Sequence, residues 1–184
     1  MNVRHNASTT NLHDKVTKEL LYRTGTPSDF KQIKDLAIAS YSDYSKILTS
    51  ENWATLNNFL HDEKKLLELL TNSQSFVCVV DNVIVGMAYL MLSGNPTDIF
   101  QEDWCYIRMV GVHPNYVGQG IGKRLTNMCI EKAKEMNERT IALHTSEFMN
   151  AARHLYESIG FKVVREISPR LGKRYWLQRC YPSR

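Results

Sequence analysis

Apolar positions along this chain follow two rhythms, one near 3.6 and one of 2, and the alternation between them outlines the fold. Leu20 to Thr24 reads as a short strand, and Gly25-Thr26-Pro27 turns the chain. Ser28 or Asp29 can then cap a helix whose stripe is Phe30, Ile33, Leu36, Ala37 and Ser40. Thr49-Ser50-Glu51 opens further helix with Trp53, Leu56, Phe59 and Leu60 on one face, and Lys64 to Leu70 continues after a break near His61-Asp62. Phe76 to Val80 and Val83 to Leu92 read as strands joined by a two-residue hairpin turn at Asp81-Asn82. A polar loop from Ser93 to Asp103 leads to a strand from Trp104 to Val112, which ends at Pro114. Ile121, Leu125, Met128, Cys129, Ala133 and Met136 mark the buried face of the next helix. Thr140 to Thr145 is strand-like, and Met149 to Ser158 is a helix carrying Ala152, Leu155 and Ile159, stopped by Gly160. Lys162 to Ile167 and Lys173 to Arg179 form a closing strand pair around a loop from Ser168 to Gly172. Residues 1–18 are polar, lack a clear period and are expected to be mobile. Residues 19–184 are expected to form one domain.

The chemistry concentrates between the last-named strand and its helix, in Val112-His113-Pro114-Asn115-Tyr116-Val117-Gly118-Gln119-Gly120-Ile121-Gly122-Lys123-Arg124-Leu125. Glycines at alternating positions let main chain approach a ligand closely. The first amides of a helix have no intrahelical partner and carry the positive end of its dipole, so the turn suits a phosphate or pyrophosphate. Lys123 and Arg124 add charge beside it. A Walker A loop would need glycine at Val117 and Ser or Thr at Arg124, and a dinucleotide fingerprint would need glycine at Lys123, so both motifs fail. The bland alternative is a tight strand-to-helix turn without a ligand.

A net charge of +4 over 184 residues, without a dense basic block, mildly favours an anionic ligand and gives no reason to expect a nucleic-acid partner. The apolar run Val83 to Leu92 is too short to span a bilayer, and Arg4 and His5 are followed by no apolar stretch of a signal peptide. A cytoplasmic protein is therefore expected. Cys78, Cys105, Cys129 and Cys180 lack metal or redox spacing, and the histidines form no pair at zinc spacing, so no metal is expected.

The element order, with the glycine turn at its centre, resembles the GNAT superfamily of acyl-CoA-dependent N-acetyltransferases. Two stretches carry the likeness. Ile107 through Leu125 is similar to the family's strand, pyrophosphate loop and helix, and Leu155-Tyr156-Glu157-Ser158-Ile159-Gly160-Phe161 is similar to its later helix end. The resemblance implies an α+β, three-layer fold: a mixed, mostly antiparallel central sheet with helices on both faces. In it the strand before the glycines splays from the one after their helix. Three positions depart from the family pattern. Val117 stands where Gln or Arg is usual, Met149 stands where Asn is common with Asn150 one place later, and Tyr106 and Arg108 stand near where a Glu base is often found.

The resemblance further implies acetyl-CoA as co-substrate and acetyl transfer to a small-molecule amine or a protein amino group, by a monomer or homodimer. Main chain from Val110 through Gly111 to Val112 would hold the acyl arm, with the Val110 amide as the oxyanion contact. The turn from Val117 through Gly118, Gln119, Gly120, Ile121 and Gly122 to Lys123 and Arg124 would take the pyrophosphate. Tyr156 would be the general acid, against the alternative of an aromatic packing on the sheet. For the base, Glu102, Asp103, His144, Glu147 and water stay open. Tyr41, Tyr44 and Trp53 would wall the acceptor pocket, though aromatics at helical spacing also suit core. The basic Ser168 to Arg174 loop would suit an acidic acceptor or simply be solvated. No cysteine has a histidine nearby in sequence, which favours direct transfer in a ternary complex. A non-catalytic acyl-CoA-binding or sensory module on the same fold is the competing reading. A nucleotide-phosphate-binding regulator is a weaker third.

Overall fold

The computed structural model describes residues 19–182, so the segment expected to be mobile lies outside it. Strand β1 (Leu21–Thr24) leads through a short 3-10 turn to helices α1 (Phe30–Tyr41), α2 (Ser50–His61) and α3 (Glu63–Thr71). Strands β2 (Gln74–Val80), β3 (Val83–Met91) and β4 (Cys105–Val112) follow, then helix α4 (Ile121–Glu135) and strand β5 (Ile141–Ser146). Helix α5 (Asn150–Ser158) and strands β6 (Lys162–Arg170) and β7 (Lys173–Cys180) complete the order. The strands form one sheet ordered β1-β2-β3-β4-β5-β7-β6. Every neighbouring pair is antiparallel except β4 with β5.

Local chemistry sets the boundaries. Asp29 closes the turn before α1: Thr26 N–H donates to its carboxylate (2.8 Å), and Arg23 grips it in a two-pronged contact (2.7 and 2.8 Å). The Arg23 hydrogen bonds are the main reason its carboxyl pKa is held at about 2. Asp62 breaks the helix pair as its spacing predicts, accepting from Lys65 N–H (3.1 Å) at the start of α3. Asp81 and Asn82 both adopt positive φ (48° and 63°), which the twist of a two-residue hairpin requires.

Helices cover both faces of the sheet. Leu36 and Ala37 of α1 and Leu60 of α2 share a buried cluster with Met87, Tyr89 and Tyr106. On the other face Ile121, Leu125, Cys129 and Ala133 of α4 pack with Cys78, Ala88, Leu90 and Ile107. Gly86 permits that contact, because a Cβ there would lie 2.5 Å from Ile121 Cγ2. Leu125 is fully buried, and truncating such a leucine to alanine costs about 2–5 kcal/mol. Among the described residues no helix is long and apolar enough to cross a membrane.

Two features prepare a site. β4 pairs with β5 only through Cys105–Ile141 and Tyr106–Ala142, after which the two strands part. The second feature differs from the sequence expectation of a loop from Ser168 to Gly172. β6 runs on to Arg170, and β7 resumes at Lys173. Only Leu171 and Gly172 turn, both at positive φ (51° and 66°). Pro169 misleads the sequence reading: β6 is an edge strand, where a residue without an N–H is tolerated. The hairpin tip reaches α2, since a Cβ on Gly172 would lie 2.6 Å from Asn52 Nδ2.

Candidate active site

Past β4 the chain reaches Gly118 and Gly120, whose φ angles are 85° and 79°. An L side chain held there costs roughly 1–2 kcal/mol, so the backbone itself asks for glycine. Gly120 caps α4 without any side-chain hydrogen bond. The first helical bond runs from Arg124 N–H to Gly120 C=O (3.0 Å), and among the described residues the amides from Gly118 to Lys123 donate to no protein acceptor. A Cβ at Gly118 or Gly120 would meet nothing within 4 Å, so open space lies in front of this row of donors. Free amides at the positive end of a helix can bind an anion.

The side chains of the turn contribute unequally. Val117 is 67% exposed, and Gln119 and Lys123 also face outward. Ile121 is buried in the core at 1% exposure, so only its main chain is free to act. The exposed Arg124 guanidinium pairs with Glu131 (3.2 Å) further along α4.

The open edge of β4 begins at a bulge. Gly111 pairs with Met87 and Arg108 with Tyr89, leaving Met109 and Val110 opposite Ala88. Met109 takes φ 50°, an uncommon angle for a non-glycine residue and a signal of functional strain that sequence reading missed. Beyond it, His113 N–H donates to Val85 C=O (2.8 Å), which makes the neighbouring Val112–Gly86 pair non-hydrogen-bonded. The Val112 N–H therefore points away from β3 into the gap. Gly122 joins edge to turn: a Cβ there would lie 3.8 Å from Val112 Cγ2 and 4.0 Å from Val110 Cγ1.

A cavity of about 510 Å³ opens where β4 and β5 part. Val110, Ala152 and Tyr156 line it at the α5 side, and Tyr41, Tyr44 and Phe59 line it at the other. Tyr156 is buried and meets Phe161 edge-on at 5.8 Å. Burial, followed by the nearby Cys129 and Tyr44, pushes its phenol pKa well up, so the hydroxyl keeps its proton. Burial likewise pushes Tyr44 up to about 12. Trp53 does not line the cavity and belongs to the outer packing of α2.

Of the open base candidates, only His144 reaches this cavity. Burial first, then Arg170 and Arg108, hold its pKa down at about 4, so the ring is neutral at pH 7. Glu102 and Asp103 are exposed outside the cavity, and Glu147 accepts from Arg174 N–H (3.3 Å). Met149 lines the cavity, whereas Asn150 is exposed at the start of α5. All of the cysteines, Cys78, Cys105, Cys129 and Cys180, are free and buried. Among the described residues no cluster of His, Cys, Asp and Glu is arranged to hold a metal.

The model of the acetyltransferase (GNAT) family matches residues 31–161, which includes the parted strands, the glycine turn and Tyr156. The chain belongs to the GNAT family. Relatives of this family member include the N-acetylaspartate synthetase of Xenopus tropicalis, 31% identical over 119 residues, covering 65% of this chain and 42% of that one. A ribosomal-protein alanine N-acetyltransferase of Haemophilus influenzae is 30% identical over 113 residues, covering 61% of this chain and 65% of that protein. The chain thus spans less than two thirds of the length of these relatives. The structure of PaiA N-acetyltransferase from Thermoplasma acidophilum in complex with coenzyme A has the same fold. Its TM-score is 0.71 at 16% identity, over 89% of this chain and 99% of that one. The parallel β4–β5 pair, the parted strands and the helices on both faces of this GNAT protein are as the resemblance implied.

Proposed function

We propose that this GNAT family member moves an acetyl group from acetyl-CoA to a primary amine, by direct attack in a ternary complex. One observation carries the reading: the free amides from Gly118 to Lys123 run into the open edge of β4 at Gly122, giving a continuous main-chain track. The residues fit acetyl-CoA. Its pyrophosphate would find the free amides of the turn, and its acyl arm the unpaired edge at Val110, Gly111 and Val112. The relative solved with coenzyme A supports the choice of donor.

When bound, acetyl-CoA supplies an already activated thioester, so few groups are asked of the protein. The Val110 N–H would take the developing oxyanion, as a main-chain donor that needs no reorganisation as charge forms. Tyr156 holds a proton at neutral pH and lines the same cavity, which suits it to protonate the departing thiolate. His144 stays uncharged beside them and keeps a lone pair for a proton on the path of the incoming amine. Burial pushes every cysteine thiol up in pKa, which disfavours a thiolate nucleophile and an acetyl-cysteine intermediate. Buried free thiols suit a reducing compartment, and we place the reaction in the cytoplasm.

Thiol release from acetyl-CoA against a panel of small amines and peptide amino termini tests the reading. Amine-dependent release with intersecting initial-rate lines is expected. Tight acetyl-CoA binding without release for any amine would favour the non-catalytic sensory module.

A further inference from the structure

Among the described residues no carboxylate lines the cavity, although two arginines and a histidine do. The Arg108 side chain makes no hydrogen bond or ion pair among the described residues. Its charge is felt instead by Tyr41, Tyr106 and His144. Arg170 gives one terminal nitrogen to Asp98, but its Nε is buried without a partner. His144 Nδ1 is also buried without a partner. Asp98 engages only one terminal nitrogen of Arg170, so a partly desolvated wall of spare nitrogens calls for an anion from the ligand, because buried polar groups left unpaired are costly. Beyond them the wall is apolar, formed by Leu56, Phe59, Leu60 and Met109.

Building on the proposed acetyl transfer, we infer that the acceptor is an amino carboxylate with an apolar side chain, its carboxylate taken by Arg108 with Arg170. Spacing favours amine and acid on one small molecule. Arg108 stands two residues before Val110, across the Met109 bulge, and both line the same cavity. An acid held by Arg108 thus lies close to the amide proposed for the oxyanion. Guanidinium groups match carboxylates in a planar, two-pronged fashion, and the apolar wall leaves the rest of the ligand its hydrophobic part. Both arginines also disfavour a cationic acceptor such as a polyamine, whose further ammonium groups would meet like charge.

The test uses leucine, leucinamide and isoamylamine as matched acceptors, which keep the side chain and remove the acid. Leucine should exceed both neutral-ended analogues in kcat/KM by at least about tenfold, because loss of the acid leaves the arginines unpaired. In Arg108→Gln the ratio of leucine to isoamylamine should collapse toward one. Equal use of the three, preference for isoamylamine, or an unchanged ratio in the variant would overturn the inference while leaving acetyl transfer intact. A second arm is independent of turnover: calorimetry of N-acetylleucine and N-isoamylacetamide on the CoA-loaded protein. Tighter binding of the acid, lost in Arg108→Gln, supports the inference, and equal binding overturns it. Absence of both acetyl-CoA binding and acetylation of any amine would instead contradict the transferase reading.

Discussion

The turn from Gly118 to Lys123 and the cleft around Tyr41, Arg108 and Tyr156 lie along the same parted strands, yet they are made of different material. The turn presents main-chain amides from consecutive residues, and its glycines supply only angles and space. The cleft is walled by side chains from α1, α2, α5 and each strand from β4 to β7. A main-chain surface of this kind suits a ligand part shared by all reactions of a fold. A wall drawn from scattered side chains can be changed one residue at a time, so selectivity belongs there.

The largest expected effect comes from filling the turn. Gly120→Glu places a side chain and a negative charge in space that is open in front of the amides. Acetyl-CoA affinity measured by calorimetry should fall more than about a hundredfold, well beyond the roughly 1–2 kcal/mol of backbone strain at φ 79°. Unchanged affinity in a folded variant would remove the turn from the binding site.

Tyr156→Phe probes the cleft at its inner end. The ring keeps its contact with Phe161 and only the hydroxyl is lost. Turnover should drop by on the order of a hundredfold with acetyl-CoA affinity little changed, as for the loss of a general acid. Near-normal turnover, with chemistry rate-limiting, would return Tyr156 to a packing role.

The amides of the turn do not titrate, whereas the cleft contains a half-buried neutral histidine. His144 has a folded pKa of about 4 against an ordinary histidine value of 6.5. Between those values the unfolded chain binds a proton that the folded chain refuses. The stability from a neutral His144 is thus fully present above pH 6.5 and is lost as pH falls toward 4, by up to about 3 kcal/mol. Thermal unfolding of His144→Phe should be flatter than wild type across that window. The Asp29 contribution, held at a pKa of about 2, is lost only at lower pH.

The smallest effect is expected from Cys105→Ala. Cys105 is fully buried, with its thiol donating to Thr140 C=O (3.3 Å). Turnover should stay within a few-fold, with some loss of stability from the cavity left behind. An acetylated cysteine trapped before acceptor is added would contradict direct transfer.

The same contrast explains what the sequence made legible. The helices and the Asp81–Asn82 hairpin follow from periodicity and turn chemistry, because those signals are local. The glycine turn is legible for the same reason: every one of its donors lies in one short stretch. The cleft is legible only in part: Tyr41, Tyr44, His144, Tyr156 and the Ser168 to Arg174 stretch are candidates in the sequence, but their meeting depends on the sheet order and the hairpin tip on α2. Arg108 drew notice only as a missing glutamate, its charge having no visible neighbour in sequence. The Met109 bulge leaves no pattern, since it depends on the register of β4 against β3. Trp53 fits the helical stripe that also carries Leu56 and Phe59, but the cavity opens beside those two and not beside it.

The central claim is that main chain, and not a set of side chains, holds acetyl-CoA along the turn and the open edge of β4. Residue-resolved amide hydrogen exchange with and without acetyl-CoA tests it most directly. Slower exchange at Val110, Val112 and Gly118 to Lys123, with little change around Tyr41 and Tyr44, is the predicted result. Protection confined to the acceptor cleft, with the turn exchanging as fast as in the free protein, would contradict the account.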